Sequence, residues 1–187
     1  MRKLIGVLAA LAATAATLTV GSPASAAPGP DYTQVPDLSG YAAVDPDPYF
    51  SLDYKDNGRT FFVTPGGRVC ALGSGYAYVG CNGRPGGAPR DAVGVAISGG
   101  QEGPYWVPRG TAYSTVPQGW FQPPLLDVGQ SITVAGSTCA VSPITVTCVG
   151  GPRAFTVAQS WFKFVYPAGD KYHDNNINPK YLPPDQR

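Results

Sequence analysis

One stretch of this chain is written twice, and the two copies hold every cysteine. Residues 61–83 read FFVTPGGRVCALGSGYAYVGCNG, and residues 132–150 read ITVAGSTCAVSPITVTCVG. Each copy runs Gly-x-x-Cys-Ala, then Leu72 or Val141, then a turn, then Val-x-Cys-x-Gly. A short duplicated pattern with apolar residues at every second position constrains the chain to β-hairpins.

The register follows from the spacing. Facing residues of an antiparallel pair have a constant index sum, and one face recurs every second residue. If Cys70 faces Cys81, then Leu72 faces Val79 and Ser74 faces Ala77, which leaves Gly75-Tyr76 as a two-residue loop. Glycine at the first loop position suits a type II′ turn. If Cys139 faces Cys148, then Val141 faces Val146, and Ser142-Pro143-Ile144-Thr145 is the loop. Pro143 then takes the second position of a type I turn. Each unit thus places an aliphatic pair on the same face as its cysteines, two residues inward. Four cysteines allow three connectivities, so the pairings that join the two units stay open.

The start of the chain is a leader. Arg2 and Lys3 precede an uncharged Ala- and Leu-rich run over residues 4–20; Gly21-Ser22-Pro23 breaks it, and Ala24-Ser25-Ala26 is a small-x-small cleavage site. This predicts a secretory signal peptide over residues 1–26, with the mature chain starting at Ala27. The run is short for a membrane anchor, and no second apolar run could span a membrane. No cysteine lies near the cleavage site to take a lipid. Losing Arg2 and Lys3 from 13 basic residues against 12 acidic ones leaves the mature chain at −1. That balance gives no electrostatic footprint for nucleic acid. Four cysteines in an exported chain fit disulfides in an oxidising space.

Residues 27–48 are Pro-rich and end in Asp45-Pro46-Asp47-Pro48, which reads as an extended N-terminal arm. Residues 49–54 alternate moderately, and Asn57-Gly58 is a hairpin-turn pair leading into residues 59–64. Pro65-Gly66-Gly67 reads as a bulge or bend before the first cysteine hairpin. Residues 92–98 alternate Val93, Val95 and Ile97 with small residues, a strand. Weaker runs surround Tyr105-Trp106-Val107 and residues 111–116. Residues 154–166 alternate aromatics as one or two closing strands. Residues 167–187, with four prolines and three asparagines, read as a C-terminal tail without its own core. With 24 glycines, 20 prolines and no helical period beyond the leader, the expected fold is all-β. It is a single domain over residues 49–166, built from antiparallel strands and two disulfide-stapled hairpins, with flexible arms at both ends.

Phe62-x-Thr64-Pro65-x-Gly67-x-x-Cys70 followed by Val79-x-Cys81 resembles a family of small exported actinobacterial proteins of uncharacterised function. Leu126-x-x-Gly129-Gln130, Cys139-x-Val141, Val146-x-Cys148 and Phe155 are similar to the second half of its members. The resemblance covers roughly residues 60–166. It implies export and two disulfide hairpins, and brings no activity. Gly66 stands where that family usually has Ser. Gly151-Pro152-Arg153-Ala154-Phe155 replaces a Gly-His-Gly-Phe, without its histidine.

The chemistry-bearing residues are few. His173, the sole histidine, lies in the Pro/Asn-rich tail, where a solvated role is the default. Ser160-x-x-Lys163 matches the nucleophile motif of penicillin-recognising enzymes, but that motif needs a helix and partner motifs that are lacking. On a strand, residues three apart point to opposite faces. The acids are scattered and sit mostly beside Pro, Gly or Asn, as solvated loop acids do, and Glu102 is the sole glutamate. A four-cysteine zinc site is the rival to disulfides, with spacings wider than zinc knuckles take. Asp174-x-Asn176-x-Asn178 with Asp185 partly matches a calcium loop, but Pro179 replaces the turn glycine and Asp185 the bidentate Glu.

No catalytic residue, metal ligand or cofactor is therefore expected. The aromatic pairs Tyr105-Trp106, Trp120-Phe121 and Trp161-Phe162 remain. One member of each pair faces out if the pair lies on a strand, so Trp106, Trp120 and Trp161 are candidates for stacking on a ligand, against a default role in the core. The expected function is an exported non-catalytic β module that binds an envelope component or another protein. The alternative is a small secreted hydrolase using scattered carboxylates.

Overall fold

A computed structural model describes residues 34–73, 78–98, 102–110 and 115–167. The leader, the Gly75-Tyr76 loop, His173 and the residues 174–185 of the calcium-loop pattern lie outside the described residues. The described chain is all-β, as the repeat predicts. Its strands are β1 (Ala42–Ala43), β2 (Thr60–Val63), β3 (Val69–Leu72), β4 (Val79–Asn82), β5 (Ala92–Ser98), β6 (Glu102–Pro108), β7 (Gln130–Val134), β8 (Ser137–Val141), β9 (Val146–Gly150), β10 (Arg153–Val157) and β11 (Phe162–Val165). They form two sheets, β2-β3-β4-β5-β6 and β1-β7-β8-β9-β10-β11. Among the described residues no helix is long and apolar enough to cross a membrane.

Each sheet contains a five-stranded antiparallel meander with its cysteines on the second and third strands, and β1 adds a sixth strand at the edge of the second sheet. The disulfides are Cys70–Cys81 and Cys139–Cys148, within hairpins rather than between them. Leu72 faces Val79 and Val141 faces Val146, in the expected registers. Gly73 N–H donates to Tyr78 O (2.7 Å) and Ser142 N–H to Thr145 O (2.9 Å), so both cysteine pairs, three residues further along, fall at non-hydrogen-bonded positions. Facing backbones approach most closely there, and the Cα atoms are 4.0 and 4.1 Å apart. The strand pattern therefore places each pair within reach of a bridge.

The repeat extends beyond the cysteines. Across the first sheet, Phe62, Cys70, Cys81, Val95 and Trp106 face one another in one row. Across the second, Ile132, Cys139, Cys148, Phe155 and Phe164 do the same. All ten are buried in one shared core, so the sheets stack face to face as a sandwich. Cys81 Sγ lies 4.0 Å from Cys148 Sγ. Both sulfurs are already in disulfides and carry no proton, so this is a packing contact that joins the two staples at the centre.

Three departures from the sequence reading have local causes. The Pro-rich segment is docked near its end: β1 pairs in parallel with β7, with Ala42 N–H on Gly129 O (2.8 Å) and Val44 N–H on Ser131 O (2.9 Å). Tyr49 follows it into the core, where its hydroxyl reaches Leu125 O (3.0 Å) and burial pushes its pKa up. Val93 is expected beside Val95 and Ile97, yet it is exposed. The β5–β6 register shifts between Ala92 and Gly94, a bulge that leaves Val93 unpaired and turned outward. Pro65-Gly66-Gly67 is the β2–β3 turn itself, closed by Thr64 N–H on Arg68 O (2.8 Å) and by Gly67 N–H on Thr64 O (2.8 Å), with Gly67 at φ +77°.

Small residues on the outer face of the first sheet let the β6–β7 connection cross it closely. Ala71, Gly80 and Ala96 face one another there. A Cβ on Gly80 would meet the Tyr78 hydroxyl at 2.8 Å and the Thr115 methyl at 3.1 Å. Phe121 then covers Phe61, with ring centroids 6.2 Å apart.

Candidate functional site

The turns at one end of the sandwich enclose a cleft of about 720 Å³. Its walls are the β2–β3 turn, the start of the β4–β5 loop, the β8–β9 turn and the β10–β11 turn. In the first half these are connections one and three, and in the second half connections two and four. Equivalent strands of the two halves thus run in opposite directions, and the cleft forms where both halves end. Thr64-Pro65-Gly66-Gly67, part of the repeated stretch, is one wall. Ser142-Pro143-Ile144-Thr145, the loop of the second cysteine hairpin, is another.

Arg68 ties these walls together. Its Nη1 donates to Asn82 O, and its Nη2 donates to Ala158 O at 3.2 Å. The first bond holds the first sheet and the second reaches the second sheet. Asn82 Oδ1 accepts the Val69 N–H (2.8 Å), which fixes the backbone beside Arg68. Burial pulls the Arg68 guanidinium below its ordinary pKa, and it stays charged at neutral pH. Gly83, at φ +88°, leaves room for it: a Cβ there would meet Nη1 at 2.8 Å.

Trp161 stands on the same turn that Arg68 grips. Ala158 donates its N–H to Trp161 O (2.9 Å) and accepts from Arg68 with its carbonyl. The β4–β5 loop presses on this turn, with Gly86 N–H on Gln159 O (3.3 Å). A Cβ at Gly86 would lie 2.6 Å from Ser160 O, so only glycine permits the approach. Trp161 is 43% exposed and Ile144, across the cleft, 73%. Arg84 is exposed on the β4–β5 wall. Among the described residues no Asp, Glu or His lines the cleft.

The candidate tryptophans separate cleanly. Trp106 is 1% exposed and wedged against Phe162 (4.7 Å, edge-on) and Phe164 (5.0 Å), so it is core and cannot stack on a ligand. The expectation fails there because β6 turns this residue, not Tyr105, toward the second sheet. Trp161 is on the cleft. Trp120 is 70% exposed but far along the β6–β7 connection, and it lines no part of the cleft. Ser160 is in the β10–β11 turn and Lys163 in β11, so the Ser-x-x-Lys match has no helix under it.

The acids are not all solvated. Asp53 and Asp56 are buried, and each holds the β6–β7 connection against residues 51–57. Asp56 accepts from Ser51 Oγ (2.6 Å) and Gln118 N–H (2.6 Å); Asp53 accepts from Lys55 N–H (3.0 Å) and Trp120 N–H (3.1 Å). Their oxygens are committed to the fold. A Cβ on Gly119 would fall on the Asp53 carboxylate. Gly119→Ala should therefore break the Asp53–Trp120 bond and cost about 1–3 kcal/mol, the usual penalty for stranding a buried acceptor. Urea unfolding checks this; a change below about 0.3 kcal/mol would mean the connection is not latched there.

Comparison with family models, curated proteins and solved structures returned no match. The site therefore rests on its own geometry. Among the described residues no cluster of His, Cys, Asp and Glu could hold a metal ion. Sequence reasoning found Trp161 but passed over Arg68 and Arg84. The signal for Arg68 was its place directly after Thr64-Pro65-x-Gly67: a turn that tight presents the following side chain at the strand end.

Proposed function

We propose that this protein is an exported, non-catalytic β module that binds an envelope component or another protein through the cleft at the Trp161 end. The observation that carries this reading is the cleft wall itself. An accessible indole stands beside a guanidinium fixed by two backbone carbonyls, among amide and hydroxyl side chains. Pockets with an aromatic face and a few placed polar groups are the usual form of binding sites. Two disulfides and no membrane-crossing helix among the described residues are consistent with an extracytoplasmic protein. The leader over residues 1–26 supplies the route, and the resemblance to exported actinobacterial proteins agrees with it.

The test is a pull-down from cell-envelope extract with the mature chain, run beside Trp161→Ala. The expected result is retention of one component by the unmodified protein and its loss from the variant, with stability within about 0.5 kcal/mol, as at other surface sites. Equal retention by both proteins would place binding elsewhere. Turnover of the extract that disappears on mutating a single Asp would replace the module with a hydrolase.

A further inference from the structure

We infer that the ligand of this cleft is an anionic saccharide, with a sugar ring on the Trp161 face and its carboxylate or phosphate on the Arg84 and Arg68 guanidiniums. This rests on the reading of the cleft as a binding site and names its ligand chemistry.

Charge is the first argument. Two arginines line the walls and no acid does among the described residues. Arg68 is half-buried, and its contacts are carbonyl oxygens, which carry no net charge. A desolvated cation without an opposite charge is unfavourable, and a bound anion offsets that. The two carbonyls also hold the fork in place, so a ligand need not order it. Two cations on the walls of a near-neutral chain are too few for a polyanion such as nucleic acid.

The ring is the second argument. Trp161 is held by the Ala158 hydrogen bond on the same turn that carries Ser160 and Gln159. An exposed indole presents a flat apolar face, which matches the C–H face of a pyranose. Gln159 and Ser160 beside it supply amide and hydroxyl groups for ring hydroxyls. Asn82 spends its side-chain oxygen on Val69 and keeps amide donors.

Shape is the third argument, and it sets a saccharide above a peptide. The cleft is made of four turns, not of a strand edge. A peptide bound by strand addition needs a row of free backbone groups, and turns do not offer one.

Calorimetric titration of the mature protein with three probes tests the assignment: a glucuronate-containing tetrasaccharide, its carboxyl-reduced neutral counterpart, and a phosphorylated tetrasaccharide. At least one acidic probe should bind about tenfold or more tightly than the neutral one, the scale of a charge-assisted hydrogen bond. Which acidic probe wins separates a carboxylate from a phosphate source. Arg84→Gln should remove that preference, Trp161→Ala should weaken every probe, and Trp120→Ala should change none. Equal affinity for acidic and neutral probes overturns the anionic assignment while leaving the cleft a binding site. A preference that survives Arg84→Gln overturns the placement of the anion on Arg84. If no probe binds although the pull-down retains a component through Trp161, the saccharide inference fails and the binding reading stands.

Discussion

Reducing both disulfides should lower the melting temperature by roughly 15–25 °C. The bridges close segments of 11 and 9 residues. The chain-entropy model gives about 2.5–3 kcal/mol for each loop of this size. Together that is a large share of the roughly 5–15 kcal/mol typical of a whole domain. The two bridges are also in contact at the core, with Cys81 and Cys148 sulfurs 4.0 Å apart. Opening one therefore loosens packing around the other. Cys70→Ala/Cys81→Ala and Cys139→Ala/Cys148→Ala should be non-additive by at least about 0.5 kcal/mol, as neighbours in one packed site are. Thermal scans with and without reductant, followed by the double-mutant cycle, read both effects. A shift under about 3 °C on full reduction would mean the sandwich holds itself without its staples. Strict additivity would mean the sulfur contact is incidental.

What could be read from the sequence depended on whether the information was local. The hairpin registers were legible because Cys70, Leu72, Val79 and Cys81 carry the strand period within a dozen residues. The closing strands β10 and β11 were legible for the same reason. Strand β1 was not: Ala42 and Ala43 have no apolar pattern, and their partners Gln130 and Ser131 lie far along the chain. Val93 followed the alternation and was turned out by a bulge whose only trace is Gly94, where a Cβ would lie 2.5 Å from Cys81 O. The buried roles of Asp53 and Asp56 were hidden because an acid beside a turn looks solvated until its backbone donors arrive from residues 118–120. The cleft is the extreme case. Its walls come from four turns between residues 64 and 161, so no window of sequence contains it. Only the repeated stretch hinted at it, since its first copy contributes the turn at residues 64–67 and its second the loop at residues 142–145 to the rim.

The three tryptophans divide by consequence, and Trp106→Ala should be the most damaging side-chain truncation of the set, at about 3–5 kcal/mol. Trp106 ends the row that begins at Phe62 and is among the largest fully buried side chains. It is also the point where the first sheet meets the aromatic edge of the second. Phe162 meets it edge-on at 4.7 Å and Phe164 tilts against it at 5.0 Å, while Phe162 and Phe164 are 5.1 Å apart. Such ring pairs add about 0.5–1.5 kcal/mol each beyond the buried area. The rigid rows on either side cannot collapse into the space, because Val95 is fixed opposite Trp106 and Phe155 opposite Phe164. Trp161→Ala and Trp120→Ala remove exposed rings and should change stability by no more than about 0.5 kcal/mol. Denaturant unfolding of the three variants, with the slope unchanged from the parent protein, gives the comparison directly. A cost below about 1 kcal/mol for Trp106→Ala, under the usual range for a buried aromatic, would mean the two sheets do not close over that ring. It would also return Trp106 to the accessible surface, where a stacking role could be argued again.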